Sequence, residues 1–375
     1  YIYYLSQLSI TFTGRNDFNM FQKGNHIFLF LLTVCLCLIC LLYSKQLFDG
    51  ISYGIQICLN TLIPSMFGFM ILSDFIANSP LNSILSKPFS IISKYLFRME
   101  PKLFPIFLMS ILGGYPIGAR LIAQKIKQQQ ISPQAGQRLL SFCINCSPAF
   151  LLSGVSLILW GNLQIGVLIY LSQVCAAILI GILSGIKKPV FLLKDQTELP
   201  TTNWSVTFVN AVNHSTKSMG VVCSFVVIFC GLFRFLDLIP LSKDNNLIIK
   251  GLLEVTSGCQ LIQDVSFFNS ILLVCLFTSF GGICVFLQIA ALLNGCQIKM
   301  LPLLGWRILY TACSLLFTYL GILTWKPVIS CFQQIQKVTF RLYSVSPISS
   351  IFLIILVILL LLFSQKSARI TDKKK

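Results

Sequence analysis

Three glycines and a proline crowd one apolar run, Leu112-Gly113-Gly114-Tyr115-Pro116-Ile117-Gly118-Ala119-Arg120. Such a stretch does not extend an ordinary helix, and in lipid the backbone groups it frees need protein or cavity water as partners. A break followed by a half-helix aims unpaired N–H groups and a positive dipole end into the gap, a cradle for an anion. Arg120 adds a full charge where ionisable side chains usually serve function. The plainer alternative is a close helix crossing with Arg120 snorkelling to the interface. Farther on, Phe142-Cys143-Ile144-Asn145-Cys146-Ser147-Pro148 sets Asn145, Ser147 and a helix breaker in mid-span, which points to a second discontinuous helix. Phe280-Gly281-Gly282-Ile283-Cys284-Val285-Phe286-Leu287-Gln288 repeats the double-glycine break, with Gln288 where Arg120 stood. The candidate solute-binding residues are therefore Gly113, Gly114, Tyr115, Pro116, Gly118, Arg120, Asn145, Ser147, Gly281, Gly282 and Gln288.

Other chemistries fail on spacing. The first motif grazes the phosphate-binding loop, but Ala119 and Arg120 stand where Lys and a hydroxyl are needed. Cys143 and Cys146 have no second pair or His nearby, and a structural zinc site needs four ligands. Neither a metal nor any cofactor is expected. Signatures such as H-E-x-x-H and G-x-S-x-G are missing, so an enzyme is not expected.

The elements that position these residues are membrane helices. Of 375 residues 56% are hydrophobic and 10% charged, with a mean hydropathy of +0.84. Soluble domains carry roughly 25% charged residues. From Leu139 to Ile186 there are 48 residues without a charge, enough for two crossings with a turn at Gly161, Asn162 and Gln164. The net charge of +17 gathers beside apolar runs, as in cytoplasmic loops facing anionic headgroups. The lipid bilayer, and not nucleic acid, is the expected partner. The basic residues Lys366, Arg369 and Lys373 to Lys375 predict a cytoplasmic C-terminus. Fifteen cysteines, mostly inside apolar segments, read as small packing residues.

The fold class predicted is an all-α polytopic membrane protein of about 8–10 transmembrane helices in two weakly similar repeats, with Gly/Pro-broken or re-entrant helices. Residues 1–19 read as a non-native or disordered stretch before a start-like Met20, and 20–47 as the first helix. Residues 48–186 form the first repeat, 187–207 a polar loop, 208–323 the second repeat, 324–347 a loop, and 348–375 the last helix and basic tail. Apolar runs place helices near 48–77, 103–123, 139–160, 163–186, 208–238, 266–294 and 301–323, with 81–98 and 247–264 as shorter mixed segments. The duplication rests on LMSILGGYPIGARLIA at 108–123 against LFTSFGGICVFLQIAA at 276–291, and on GQRLLSFCINCSPAFLL at 136–152 against GWRILYTACSLLFTYL at 305–320. Chance similarity of greasy segments is the alternative. Glu254, Lys217, His26 and His214 read as interfacial groups, and Arg234 and Asp237 as an i,i+3 pair.

Taken in order, Leu62-Ile63-Pro64-Ser65-Met66-Phe67, Gly113 to Ala119, Phe142 to Pro148, Leu253-Glu254-Val255-Thr256-Ser257-Gly258 and Phe280-Gly281-Gly282 resemble the sporulation integral membrane protein family of the YlbJ type. That family is similar to the nucleoside-transporter-like gate domain membrane proteins. The resemblance spans roughly Ile27 to Leu323 and implies a role in endospore formation. It implies movement of dipicolinate, an aromatic dicarboxylate, toward the developing spore, in a bacterial cell membrane surrounding the forespore. Gly113 to Ala119, Asn145, Gly281 and Gly282 match family motif positions, while Cys146 and Cys284 depart from the small polar residues expected there. On this reading Arg120 grips one carboxylate of a small anionic solute, with its fork of donors. A nucleoside-type transporter and a non-transporting scaffold in spore-envelope assembly stand as alternatives, with a homo-oligomer or other sporulation membrane proteins as partners.

Overall fold

The computed structural model describes residues 30, 33–35, 38, 40–186, 203–237 and 242–325. The expectations for 1–19, most of the first helix, most of the 187–207 loop, the last helix and the C-terminal tail lie outside the described residues.

Helix α1, Ser44–Ala77, is 34 residues long. It carries one π-helical turn at Cys58–Leu62, directly before Pro64. A proline ring clashes with the carbonyl four residues back, and a widened turn gives it room. The mixed segment at 81–98 folds as a short helix α2, Leu81–Ser86, and a π turn at Ile92–Leu96, neither long enough to cross. Then come α3 (Pro101–Gly113) and α4 (Tyr115–Lys127), the two halves of the first predicted broken helix.

The run at 139–160 departs from expectation. Helix α5, Pro133–Leu140, is capped by Ser132, whose Oγ accepts from Ala135 N at 3.2 Å, and it stops at Leu140. Residues 141–147 are non-helical and buried, and α6, Phe150–Trp160, follows Pro148. Irregular backbone is tolerated at membrane depth when protein surrounds it, which is the case here. The rings of Phe97, Phe107 and Phe142 meet at 5.2 to 5.6 Å between centroids and wedge the stretch in place. The turn predicted at Gly161 and Asn162 is present: Gly161 has φ +60°, and Asn162 Oδ1 accepts from Gln164 N at 2.8 Å to start α7, Leu163–Gly185.

Helix α8, Trp204–Leu236, begins inside the segment expected to be loop, because Asn203 caps it. Next, α9 (Lys243–Leu253) and α10 (Val255–Gln260) form an interrupted pair around Glu254. The second double-glycine break divides α11 (Phe267–Phe280) from α12 (Gly282–Leu292), and α13, Met300–Trp325, is unbroken.

Among the described residues, five helical runs are long and apolar enough to cross a membrane: Ser44–Ala77, Leu163–Gly185, Trp204–Leu236, Phe267–Leu292 and Met300–Thr324. The chain is therefore an all-α polytopic membrane protein. The count is below the 8–10 predicted because the runs at 103–123 and 139–160 are each cut short, and the outermost two lie outside the described residues. Both aligned glycine pairs break their helices. The other aligned pair diverges, since 136–152 is interrupted and its counterpart lies in the continuous α13.

Candidate functional site

At the first break Gly114 adopts φ +92° and ψ 179°, a region open essentially to glycine alone. Gly113 still belongs to α3. Four residues on, a Cβ on Gly118 would stand 1.7 Å from the Cys143 carbonyl oxygen, so the missing side chain lets α4 lie on the irregular 141–147 stretch. At the second break Gly281 has φ +88° and Gly282 φ +69°.

A helix that stops inside lipid leaves its last carbonyls without donors. Here they are met from other helices. The Tyr170 hydroxyl donates to Ile111 O near the end of α3, at 3.2 Å. The Tyr115 hydroxyl, one residue past the first break, donates to Thr278 O near the end of α11. That bond ties the two breaks to each other. Arg307, on α13, donates through Nε to Phe280 O at 2.9 Å and through Nη1 to Ile144 O. Its guanidinium lies 4.6 Å from the Tyr310 ring centroid and 5.6 Å from that of Tyr115. Asn145 completes the junction: Nδ2 donates to Ser110 Oγ (3.0 Å) and Phe142 O (2.9 Å), and Oδ1 accepts from Tyr310 at 3.3 Å. Gln173 Nε2 donates to Thr278 Oγ1 at 2.8 Å. Ser147 Oγ accepts from Phe150 N at 3.2 Å, opening α6, and Ser147 abuts the Gly114 position.

The N-termini of α4 and α12, which begin at the two breaks, carry no side-chain cap. The first N–H groups and positive dipole end of α12 remain available to an anion, whereas α4 offers chiefly its dipole end, because Pro116 has no N–H and Ile117 N donates to Gly114 O at 3.2 Å.

Gly114, Tyr115, Pro116, Gly118, Asn145, Ser147, Gly281 and Gly282 thus cluster around the junction, with Gly113 at its margin. Two candidates stand apart. Gln288 bonds only to Cys284 Sγ on its own helix, at 3.2 Å. Arg120 faces away from the junction, where Nη1 pairs with Asp74 Oδ1 at 2.9 Å and Nη2 donates to Met70 O at 3.2 Å. Asp74 is 1% exposed and also meets His214 Nδ1 at 3.2 Å and Asn78 Nδ2 at 3.2 Å. The guanidinium expected to grip a solute is thus neutralised by the chain itself. His214, read as interfacial, is half-exposed but anchored on this buried carboxylate.

Glu254 is a correction too. It is buried, not interfacial, and its two carboxylate oxygens accept from Thr256 N and Ser257 N at 2.7 Å each, capping α10. Arg234 and Asp237 do pair, at 3.7 Å, and Lys250 joins them. A groove of 690 Å³ between α9, α11 and α13 is lined mainly by leucines such as Leu247, Leu273 and Leu315 and lies away from the breaks.

Sequence reasoning missed Arg307, Asp74, Gln173, Thr278 and Tyr310. The signals were present for two of them. Asp74 is the one charge between Asp49 and Lys87, and Arg307 the one charge between Lys299 and Lys326. The alignment of GQRLL with GWRIL also set Arg307 against Arg138.

The comparison with known proteins agrees with the membrane class. The sporulation integral membrane protein YlbJ of Bacillus subtilis (strain 168) is 22% identical over 361 residues, covering 83% of this chain and 85% of the relative. This chain is a distant relative of that sporulation integral membrane protein. That relationship extends over both glycine breaks and the junction, because it covers most of each protein. No family model matches the chain, and no solved structure matches it.

The Tyr115 bond gives a direct test of the junction. Tyr115→Phe removes the donor to a buried carbonyl and should cost about 1–3 kcal/mol. The thermal midpoint of the purified protein should fall by several degrees, whereas an unchanged midpoint would mean the two breaks are not coupled through this bond.

Proposed function

We propose that this chain is a sporulation membrane transporter or channel-like carrier for a small anionic solute, in a bacterial cell membrane around the forespore. The observation that carries the reading is the meeting of two glycine-broken helices through Tyr115 and Thr278, with the uncapped N-termini of α4 and α12 beginning at those breaks. Broken half-helices meeting at depth are how membrane carriers present dipole ends to a charged solute. A scaffold gains nothing from interrupting its spans, because each break frees backbone groups that must then be satisfied. The sporulation role follows the YlbJ relative by name. Dipicolinate is the favoured solute, through the family resemblance and because a dianion suits two dipole ends.

Uptake into proteoliposomes tests this. Purified protein should carry dipicolinate inward at a saturable rate, and nucleosides poorly. Saturable nucleoside uptake with no dipicolinate movement would favour the nucleoside-type carrier, and no uptake of either would favour the scaffold.

A further inference from the structure

We propose that Arg307, with the start of α12 at Gly281 and Gly282, binds one carboxylate of the transported solute. The inference rests on the carrier reading and names the residue and ligand chemistry of its site.

Every other buried charge resolved at a contact here is already answered. Arg120 has Asp74, Lys250 has Asp237, and Glu254 has two backbone N–H groups. Arg307 is 3% exposed and has no carboxylate partner among the described residues. Its Nε and Nη1 are held by carbonyls, but Nη2 is buried without any hydrogen-bond partner. A guanidinium cannot shed its proton to escape such a site, so a free donor there is costly. Nη2 lies 3.5 Å from where a Gly281 Cβ would stand, beside the uncapped N-terminus of an 11-residue helix. A fixed cation donor and a row of free backbone N–H groups thus lie next to each other.

A planar carboxylate fits these donors. One oxygen takes Nη2, and the other takes N–H groups at the start of α12. The rings of Tyr115 and Tyr310 over the guanidinium supply an apolar flank suited to an aromatic or hydrocarbon body. The junction is closed in this conformation, so the solute enters as the two breaks part. Nε and Nη1 hold the guanidinium in place on Phe280 O and Ile144 O throughout.

The test is equilibrium dialysis of dipicolinate, benzoate and inorganic phosphate against the full chain in lipid nanodiscs, alongside proteoliposome uptake. Arg307→Lys keeps the charge and loses the fork. Gly281→Asn retains a residue type that tolerates positive φ and offers its own carbonyl to Nη2, leaving the Arg307 bonds to Phe280 O and Ile144 O intact. Dipicolinate and benzoate should bind saturably and compete, and both variants should bind roughly tenfold or more weakly. The thermal midpoint of Gly281→Asn should stay near wild type. Absence of saturable carboxylate binding, equal affinity in either variant, or binding of phosphate alone overturns the site. Arg307-dependent binding without uptake upholds the site and overturns the carrier reading. Uptake that survives both variants does the reverse.

Discussion

Gly114→Ala should abolish dipicolinate uptake, while Gly113→Ala leaves most of it. The two neighbours differ in backbone, not in sequence context. Gly114 sits at φ +92° and ψ 179°, where a side chain costs about 1–3 kcal/mol in strain alone. Its added Cβ would also stand 2.8 Å from Met66 Cε and 3.2 Å from Ser147 Cβ. Gly113 is helical, and its Cβ would meet chiefly the end of the Ile117 side chain, which can rotate. A relaxed Gly114→Ala backbone rejoins α3 to α4 and pulls Tyr115 off Thr278. Uptake per inserted molecule, with insertion checked by blotting, measures the difference. Equal activity in the two variants would show that the break has no role in transport.

The second large effect concerns the charge pair. Arg120→Gln leaves Asp74 buried with only Asn78 and half-exposed His214, and removing one partner of a buried pair costs about 3–5 kcal/mol. The variant should accumulate poorly and unfold well below wild type. Asp74→Asn combined with Arg120→Gln removes both charges and should recover most of the lost stability, and uptake with it. If the double variant folds yet remains inactive, Arg120 itself contacts the solute, as the sequence alone suggests.

The glycine breaks, the membrane class and the turn at Gly161 were legible because backbone constraints act locally. A glycine pair followed by proline in an apolar run has few solutions, and the structure adopts one of them. Side-chain destinations were not legible in the same way. Whether Arg120 faces a solute or a carboxylate depends on Asp74, 46 residues earlier on another helix. The isolation of Arg307 between Lys299 and Lys326 is visible in the sequence, but not that the carbonyls of Ile144 and Phe280 come to it from two directions. Glu254 was misplaced for a related reason. A charge between two apolar segments reads as a surface anchor unless a backbone break turns the following N–H groups toward it.

Helix α8 is longer than a bilayer needs. Its 33 residues rise about 50 Å, against a hydrocarbon thickness of about 30 Å. No charge lies between Lys217 and Arg234, whereas the preceding stretch holds Asn210, Asn213, His214, Thr216 and Lys217. The first turns of α8 pack on α1, where the Phe75 ring meets Trp204 at 5.7 Å and Phe208 at 6.0 Å between centroids. Farther along, His214 reaches Asp74 on α1, and Asp74 holds Arg120 on the half-helix that leaves the first break. The start of α8 is thus tied to α1 by stacked rings, and through a two-bond linkage, imidazole to carboxylate to guanidinium, to the helix that follows Gly114.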